Sequence, residues 1–134
     1  MSKAFKPTES ELEILSILWK KENATVRDVH NVIFQTKEVG YTTTLKLMQI
    51  MHEKGMVTRD QSSKTHIYTP NFEQSKAQEQ YVGKMIKTLF SGNTAQLVMQ
   101  ALGNHQTNST DLKEIKDLIE QLEKKDSKIN HTQI

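Results

Sequence analysis

Tyr41-Thr42-Thr43-Thr44-Leu45-Lys46-Leu47-Met48-Gln49-Ile50-Met51-His52-Glu53-Lys54-Gly55 opens the stretch that decides the fold, and Met56 to Pro70 completes it. Thr44, Leu47, Met48 and Met51 recur at the i, i+3, i+4, i+7 offsets of one helical face, which predicts that this face is buried, the threonine contributing its methyl. The opposite face carries Thr42, Thr43, Lys46 and Gln49, donors and acceptors without a carboxylate among them. Gly55 is placed to stop the helix in the left-handed conformation that glycine adopts freely. Met56-Val57-Thr58-Arg59-Asp60 and Thr65-His66-Ile67-Tyr68-Thr69 then read as two short strands around a Gln61-Ser62-Ser63-Lys64 turn.

Two helices are predicted upstream. Thr8 with Glu11 three residues on makes a capping box, and Glu9 and Glu11 suit the positive end of a helix. Leu12, Leu15, Leu18 and Trp19 mark its buried face, with Ile14 beside it, and Trp19 is expected in the core between this helix and the hairpin. After a break at Glu22-Asn23-Ala24, Thr25 caps a second helix with Asp28 as its acid, and Val26, Val29, Val32 and Ile33 form the stripe. Helix, helix, turn, helix, hairpin is the order of a winged helix-turn-helix.

Beyond Pro70 the pattern is helical and serves another purpose. Tyr81, Val82, Met85, Ile86 and Leu89 share one face of a helix over 72–90, and Ser91-Gly92-Asn93 interrupts it. Leu97, Val98, Ala101 and Leu102 mark a short second helix; a polar linker, Gly103 to Ser109, leads to a third with Leu112, Ile115, Leu118, Ile119 and Leu122. These stripes are too sparse for an independent core, so a second copy of the chain is the expected cover, packing within one chain being the competing reading. The dimer face is expected to comprise Tyr81, Met85, Leu89, Leu97, Val98, Leu112, Ile115, Ile119 and Leu122. The fold class is therefore mainly α with a small β-hairpin: a winged-helix domain over 1–72, a helical dimerisation region over 73–126, and a patternless, disordered tail over 127–134.

Composition narrows the function. Hydrophobic residues make up 35% of the 134 and charged residues 25%, enough for one modest core, and no apolar run approaches the ~20 residues of a membrane helix. Zero cysteines exclude disulfides, thiolate metal sites and a cysteine nucleophile; with no apolar leader over Met1 to Pro7, a cytoplasmic location is expected. Residues 1–70 hold ten Lys and Arg against eight Asp and Glu, whereas 71–134 hold eight of each, so the excess of +2 sits in the half that carries the hairpin. His30, His52, His66, His105 and His131 show no i, i+3 or i+4 pairing, so surface or hairpin roles are expected rather than a metal site. Met48, Met51, Met56 and Met85 read as core filler. No phosphate loop, nucleophile elbow or His-Glu-x-x-His occurs, so neither enzyme activity nor a cofactor is expected.

Several blocks resemble the penicillinase-repressor family of bacterial transcription factors over roughly Pro7 to Lys125. They are Glu11 to Trp19, Ala24 to Val29, Tyr41-Thr42-Thr43 with Glu53-Lys54-Gly55, Lys64 to Pro70, and Leu89-Phe90-Ser91-Gly92 followed by Gln96-Leu97-Val98. The resemblance implies a homodimeric repressor bound to double-stranded DNA at a palindromic operator, helix three in the major groove. By position it implies groove-facing roles for Thr42, Thr43 and Lys46, with Gln49 on the same face, and phosphate contacts from Lys64 and Arg59. Arg59 has a competing reading as an ion-pair partner of Asp60 or Glu53. A sensor-linked protease is a further implied partner in some members, but the Asn-Phe bond it cuts is replaced here by Gln100-Ala101. Ile50 stands where many members carry Arg, Lys64 and His66 replace the family's wing Arg and first Tyr, and the cysteine-rich tail of copper-responsive members is absent. The alternative from another class is a winged-helix module that binds a protein and never meets DNA.

Overall fold

Thr8 starts the first helix as its spacing to Glu11 predicts: its hydroxyl accepts from the Glu11 N–H at 3.2 Å, and the Glu11 carboxylate accepts from the Thr8 N–H at 2.9 Å. The computed structural model describes residues 6–132, with side chains through residue 127. Helix α1 (Glu9–Lys21) buries Glu11, Ile14, Leu15 and Leu18. That face is rotated from the expected one: Ile14 is fully buried, while Leu12 and Trp19 are half-buried. The Trp19 indole N–H donates to the Phe72 carbonyl at 2.7 Å, tying α1 to the segment that leaves the hairpin.

Helix α2 (Val26–Phe34) repeats the device, the Thr25 hydroxyl and Asp28 carboxylate exchanging bonds with each other's N–H groups at 3.1 and 3.2 Å. Helix α3 (Tyr41–Glu53) buries Thr44, Met48 and Met51 of the face its spacing predicts, and Leu47, expected with them, is half-buried. Gly55 ends it at φ 83°, where the Gly55 N–H reaches the His52 carbonyl at 3.0 Å and the Met56 N–H reaches that of Met51 at 2.9 Å.

Strands β1 (Val57–Asp60) and β2 (Ile67–Pro70) form the antiparallel wing, with Val57 opposite Pro70 and Arg59 opposite Tyr68. Both begin later than the hydrophobic pattern predicts. Met56 has given its N–H to the helix end, and Ser63 donates to the Thr65 carbonyl at 2.7 Å, keeping that residue in the turn. Ala24, before α2, exchanges two backbone bonds with Tyr68 at 3.0 and 2.8 Å, so β2 is flanked on both sides. The core gathers Ile14, Leu15, Leu18, Val29, Ile33, Met48, Met51, Met56, Val57 and Tyr68 from all of these elements.

Three more helices follow: α4 (Gln74–Thr88), α5 (Thr94–Asn104) and α6 (Ser109–Thr132). The compact units divide between Val82 and Gly83, whereas the expected boundary followed the end of the wing at 72. Packing carries the first unit into α4, where Ala77 is buried and the Tyr81 hydroxyl donates to the Pro7 carbonyl. Tyr81, expected on a dimer face, thus belongs by its bonding to the first unit. In the second unit, Ser91 and Gly92 take φ 50° and 85° to end α4, and Asn93 caps α5 by accepting from the Gln96 N–H at 3.1 Å. No residue from Gly83 to Ser127 is buried. Met85, expected as core filler, is 39% exposed, whereas Met48, Met51 and Met56 are buried. Helix α6 runs on to Thr132, so the tail expected to be disordered is helical over 127–132: no Gly or Pro follows Gly103 to stop it. Residues 133–134 of that tail, and Met1 to Phe5 of the N-terminal segment, lie outside the described residues.

Glu11 is the unusual member of the core, 1% exposed at the start of α1. Burial pushes its carboxyl up, but the Thr8 N–H, the Lys54 ammonium at 2.9 Å and the Thr8 hydroxyl together outweigh burial and hold it below its ordinary value. Such a group stabilises the fold fully above the ordinary glutamate value of about 4.3, and the contribution is lost as pH falls through the lower folded value. Glu11→Gln should therefore flatten the acid limb of the stability profile below about pH 4. Lys54→Ala should cost about 1–2 kcal/mol in urea denaturation at neutral pH, the lower end being set by the ammonium's partial exposure.

Candidate nucleic-acid interface

The register that buries Thr44, Met48 and Met51 turns the opposite side of α3 outward, and Thr42, Thr43, Lys46 and Gln49 are all exposed there. The only acid in this helix is Glu53, at its last position, so its first three turns present hydroxyls, an amide and an ammonium without negative charge. Tyr41 and Leu45 are half-buried at the border of this face.

A buried hydrogen bond sets the roll of the helix. His30 Nδ1 lies 3.1 Å from Thr44 Oγ1, and the His30 ring meets the Tyr41 ring edge-on at 5.6 Å. His30 is 8% exposed, contrary to the surface or wing role expected of the histidines, because it lies one turn after Val26 and beside Val29 on the stripe that packs against α3. That spacing was the available signal, and a polar ring on an apolar stripe requires a partner. Thr44 accordingly contributes its hydroxyl as well as its methyl.

The wing places its two basic residues differently. Lys64 is exposed in the turn and forms no ion pair among the described residues. Arg59 is half-buried on the same strand face as Tyr68. In the orientation its surroundings dictate, the Gln61 amide oxygen accepts from Arg59 Nη2 and Nε at 2.6 and 2.8 Å. Neither acid named as a candidate partner holds Arg59: Asp60 accepts from the Ser62 N–H at 2.9 Å, and the hydrogen bonds from Ser62 lower its pKa. Among the described residues no group of three or more His, Asp and Glu side chains could hold a metal ion, and no helix is long and apolar enough to cross a membrane.

Three helices, with the third presented beside a two-stranded wing flanked by Ala24, define a winged helix-turn-helix protein. The profile of the penicillinase repressor family matches residues 7–121, and the chain belongs to that family. It is similar to the penicillinase repressor of Staphylococcus aureus, 22% identical over 116 residues that cover 87% of this chain and 92% of the relative. The transcriptional regulator BlaI of Mycobacterium tuberculosis (strain CDC 1551 / Oshkosh) is 28% identical over 71 residues, 52% of this chain and 51% of that one. A solution structure of the DNA-binding domain of the repressor BlaI superposes with a TM-score of 0.50 at 22% identity, covering 57% of this chain and 93% of that chain, a likeness of fold.

The His30–Thr44 bond yields a direct expectation. Thr44→Val keeps the shape but leaves the buried Nδ1 unpartnered, so urea denaturation should show a loss of about 1–3 kcal/mol.

Proposed function

We propose that this chain is a homodimeric, sequence-specific transcriptional repressor that occupies a palindromic operator on double-stranded DNA. The observation that carries this reading is the acid-free outer face over the first three turns of α3, beside an exposed wing lysine, on a chain of the penicillinase repressor family. Thr42, Thr43, Lys46 and Gln49 meet base edges: threonine offers a hydroxyl to a base and a methyl to thymine, and lysine reaches guanine acceptors. Lys64 contacts phosphate and sets register, with Arg59 on the same wing. Two such heads read half-sites about one 10-base-pair turn apart, or a multiple of it. Occupying the promoter excludes polymerase, so the protein acts as a repressor in the cytoplasm rather than as an enzyme, and loosening the pair of heads releases it.

The dimer reading is supported by α4 to α6, where Leu89 is 72% exposed, Leu122 57% and Ile119 47%. A second copy covers these stripes most simply through Met85, Leu89, Leu97, Val98, Leu112, Ile115, Ile119 and Leu122. A sensor-linked protease acting as on some family members would meet Gln100-Ala101 inside α5 rather than an Asn-Phe bond.

Selection of duplexes from a random pool at near-physiological salt tests the reading as a whole. Recovery of a two-fold symmetric site is expected; an intact dimer that enriches no sequence would favour a protein-binding module instead. Lys46→Ala should weaken the selected site and relax its sequence preference, whereas Lys64→Ala should weaken every duplex alike and lower the log–log salt slope by about 0.9. Equal losses on selected and random DNA for both variants would remove Lys46 from base reading. Ile115→Asp with Leu122→Asp should give monomers at micromolar concentration by analytical ultracentrifugation, and a variant that stays dimeric would refute this seam.

A further inference from the structure

A groove of about 290 Å³ runs between α3 and the wing, and the start of α2 forms its third wall. Thr25 and Arg27 line it from α2, Tyr41 and Gln49 from α3, and Lys64 and His66 from the wing; no lining residue is acidic. The acid at that helix start, Asp28, is engaged in the Thr25 cap at 3.2 Å. Arg27 is exposed, forms no ion pair among the described residues, and holds its guanidinium carbon 4.2 Å from the centre of the Tyr41 ring. That stacking restricts a long side chain in advance, so a ligand of the guanidinium loses less freedom on binding. His66 is half-buried beside the buried Tyr68, and the other charged or titratable groups facing the groove are Arg27, Tyr41, Lys64 and Tyr68. Cations on two walls, hydroxyls between them and no carboxylate suit a monoanion with several acceptor oxygens.

We infer that this groove seats a backbone phosphodiester of the bound duplex, gripped by Arg27 and His66 together with Lys64, and that His66 makes operator affinity pH-dependent. The inference rests on the DNA-binding reading above and deepens it. Arg27 and His66 stand outside the residues assigned to the interface from sequence. An imidazole changes charge between pH 5 and 8, and a phosphate against it favours the imidazolium. Binding then takes up a proton, so affinity falls as pH rises, by at most about tenfold per pH unit for one proton.

The test uses the full chain and a duplex that the wild-type protein selects, with dissociation constants from fluorescence anisotropy at about pH 6 and pH 8 over a salt series. The wild type should bind about fivefold more tightly at the lower pH. His66→Gln should lose most of that difference, and His66→Lys should bind tightly at both pH values. Arg27→Ala should weaken selected and random duplexes alike by about tenfold and lower the salt slope by about 0.9. Circular dichroism melts establish that each variant is folded, and both side chains lie outside the core. If Arg27→Ala keeps the wild-type slope, or His66→Gln keeps the wild-type pH dependence, the clamp is overturned while the repressor reading stands. If the wild type binds no duplex at all, both fall. Inorganic phosphate at constant ionic strength should not displace the duplex; displacement that depends on Arg27 and His66 would assign the groove to a free phosphate and overturn the backbone assignment.

Discussion

A carboxylate buried to the extent of Glu11 stays charged only where donors replace the water it has lost, and that requirement organises the first unit. The Thr8 N–H supplies one donor at the start of α1, and the Lys54 ammonium supplies another from the far end of α3. One side chain therefore caps its own helix and holds the C-terminal end of α3. Hydrophobic contact alone allows apolar faces to slide past one another at modest cost, whereas a buried charge loses a partner as soon as the ends separate. The Glu11–Lys54 tie gives α3 a definite position along α1.

Two further ties complete the placement of the exposed α3 face. Near the other end of α3, the His30–Thr44 bond sets the roll of the helix against α2, which decides that Thr42, Thr43, Lys46 and Gln49 look outward together. The Ala24–Tyr68 bridge then sews the wing to the start of α2, so Arg27 and His66 reach the same groove from segments far apart in sequence. Each tie is polar and buried or backbone-directed, and each joins elements that the apolar core merely brings close. The composition of the exposed α3 face is thus set by groups that lie beneath or beside it.

The second unit follows a different logic. Its helices are well capped at their starts, by Asn93 for α5 and by an Asn108 side chain that accepts from the Asp111 N–H at 2.8 Å, yet no residue from Gly83 to Ser127 is buried. Local signals suffice to form such helices but not to hold them together, because helix stability in water comes mostly from packing of an apolar face. Sequence-encoded helices with uncovered stripes are consistent with a region that completes itself only against another molecule.

Much of this was legible in the chain. The caps at Thr8 and Thr25, the stop at Gly55, the buried set Thr44, Met48 and Met51, and the order of elements all follow from local spacing, because capping bonds and helical periodicity are decided within a few residues. The outer face of α3 was legible for the same reason, being the complement of its buried face. What local spacing could not supply was any partner more than a turn or two away. Glu11 could be read as a cap but not as a buried ion partner of Lys54, forty-three residues on. His30 lay on the α2 stripe without naming Thr44, and Arg59 pointed to Asp60 or Glu53 while folding beside Gln61. Apolar periodicity stops short of residue 126, whereas α6 runs on to Thr132. Sequence determined which helices and strands form and which faces they bury; only tertiary structure decided which polar groups are brought within a hydrogen bond of one another. Burial makes those pairings strong, and burial is a property of the assembled elements rather than of any one of them.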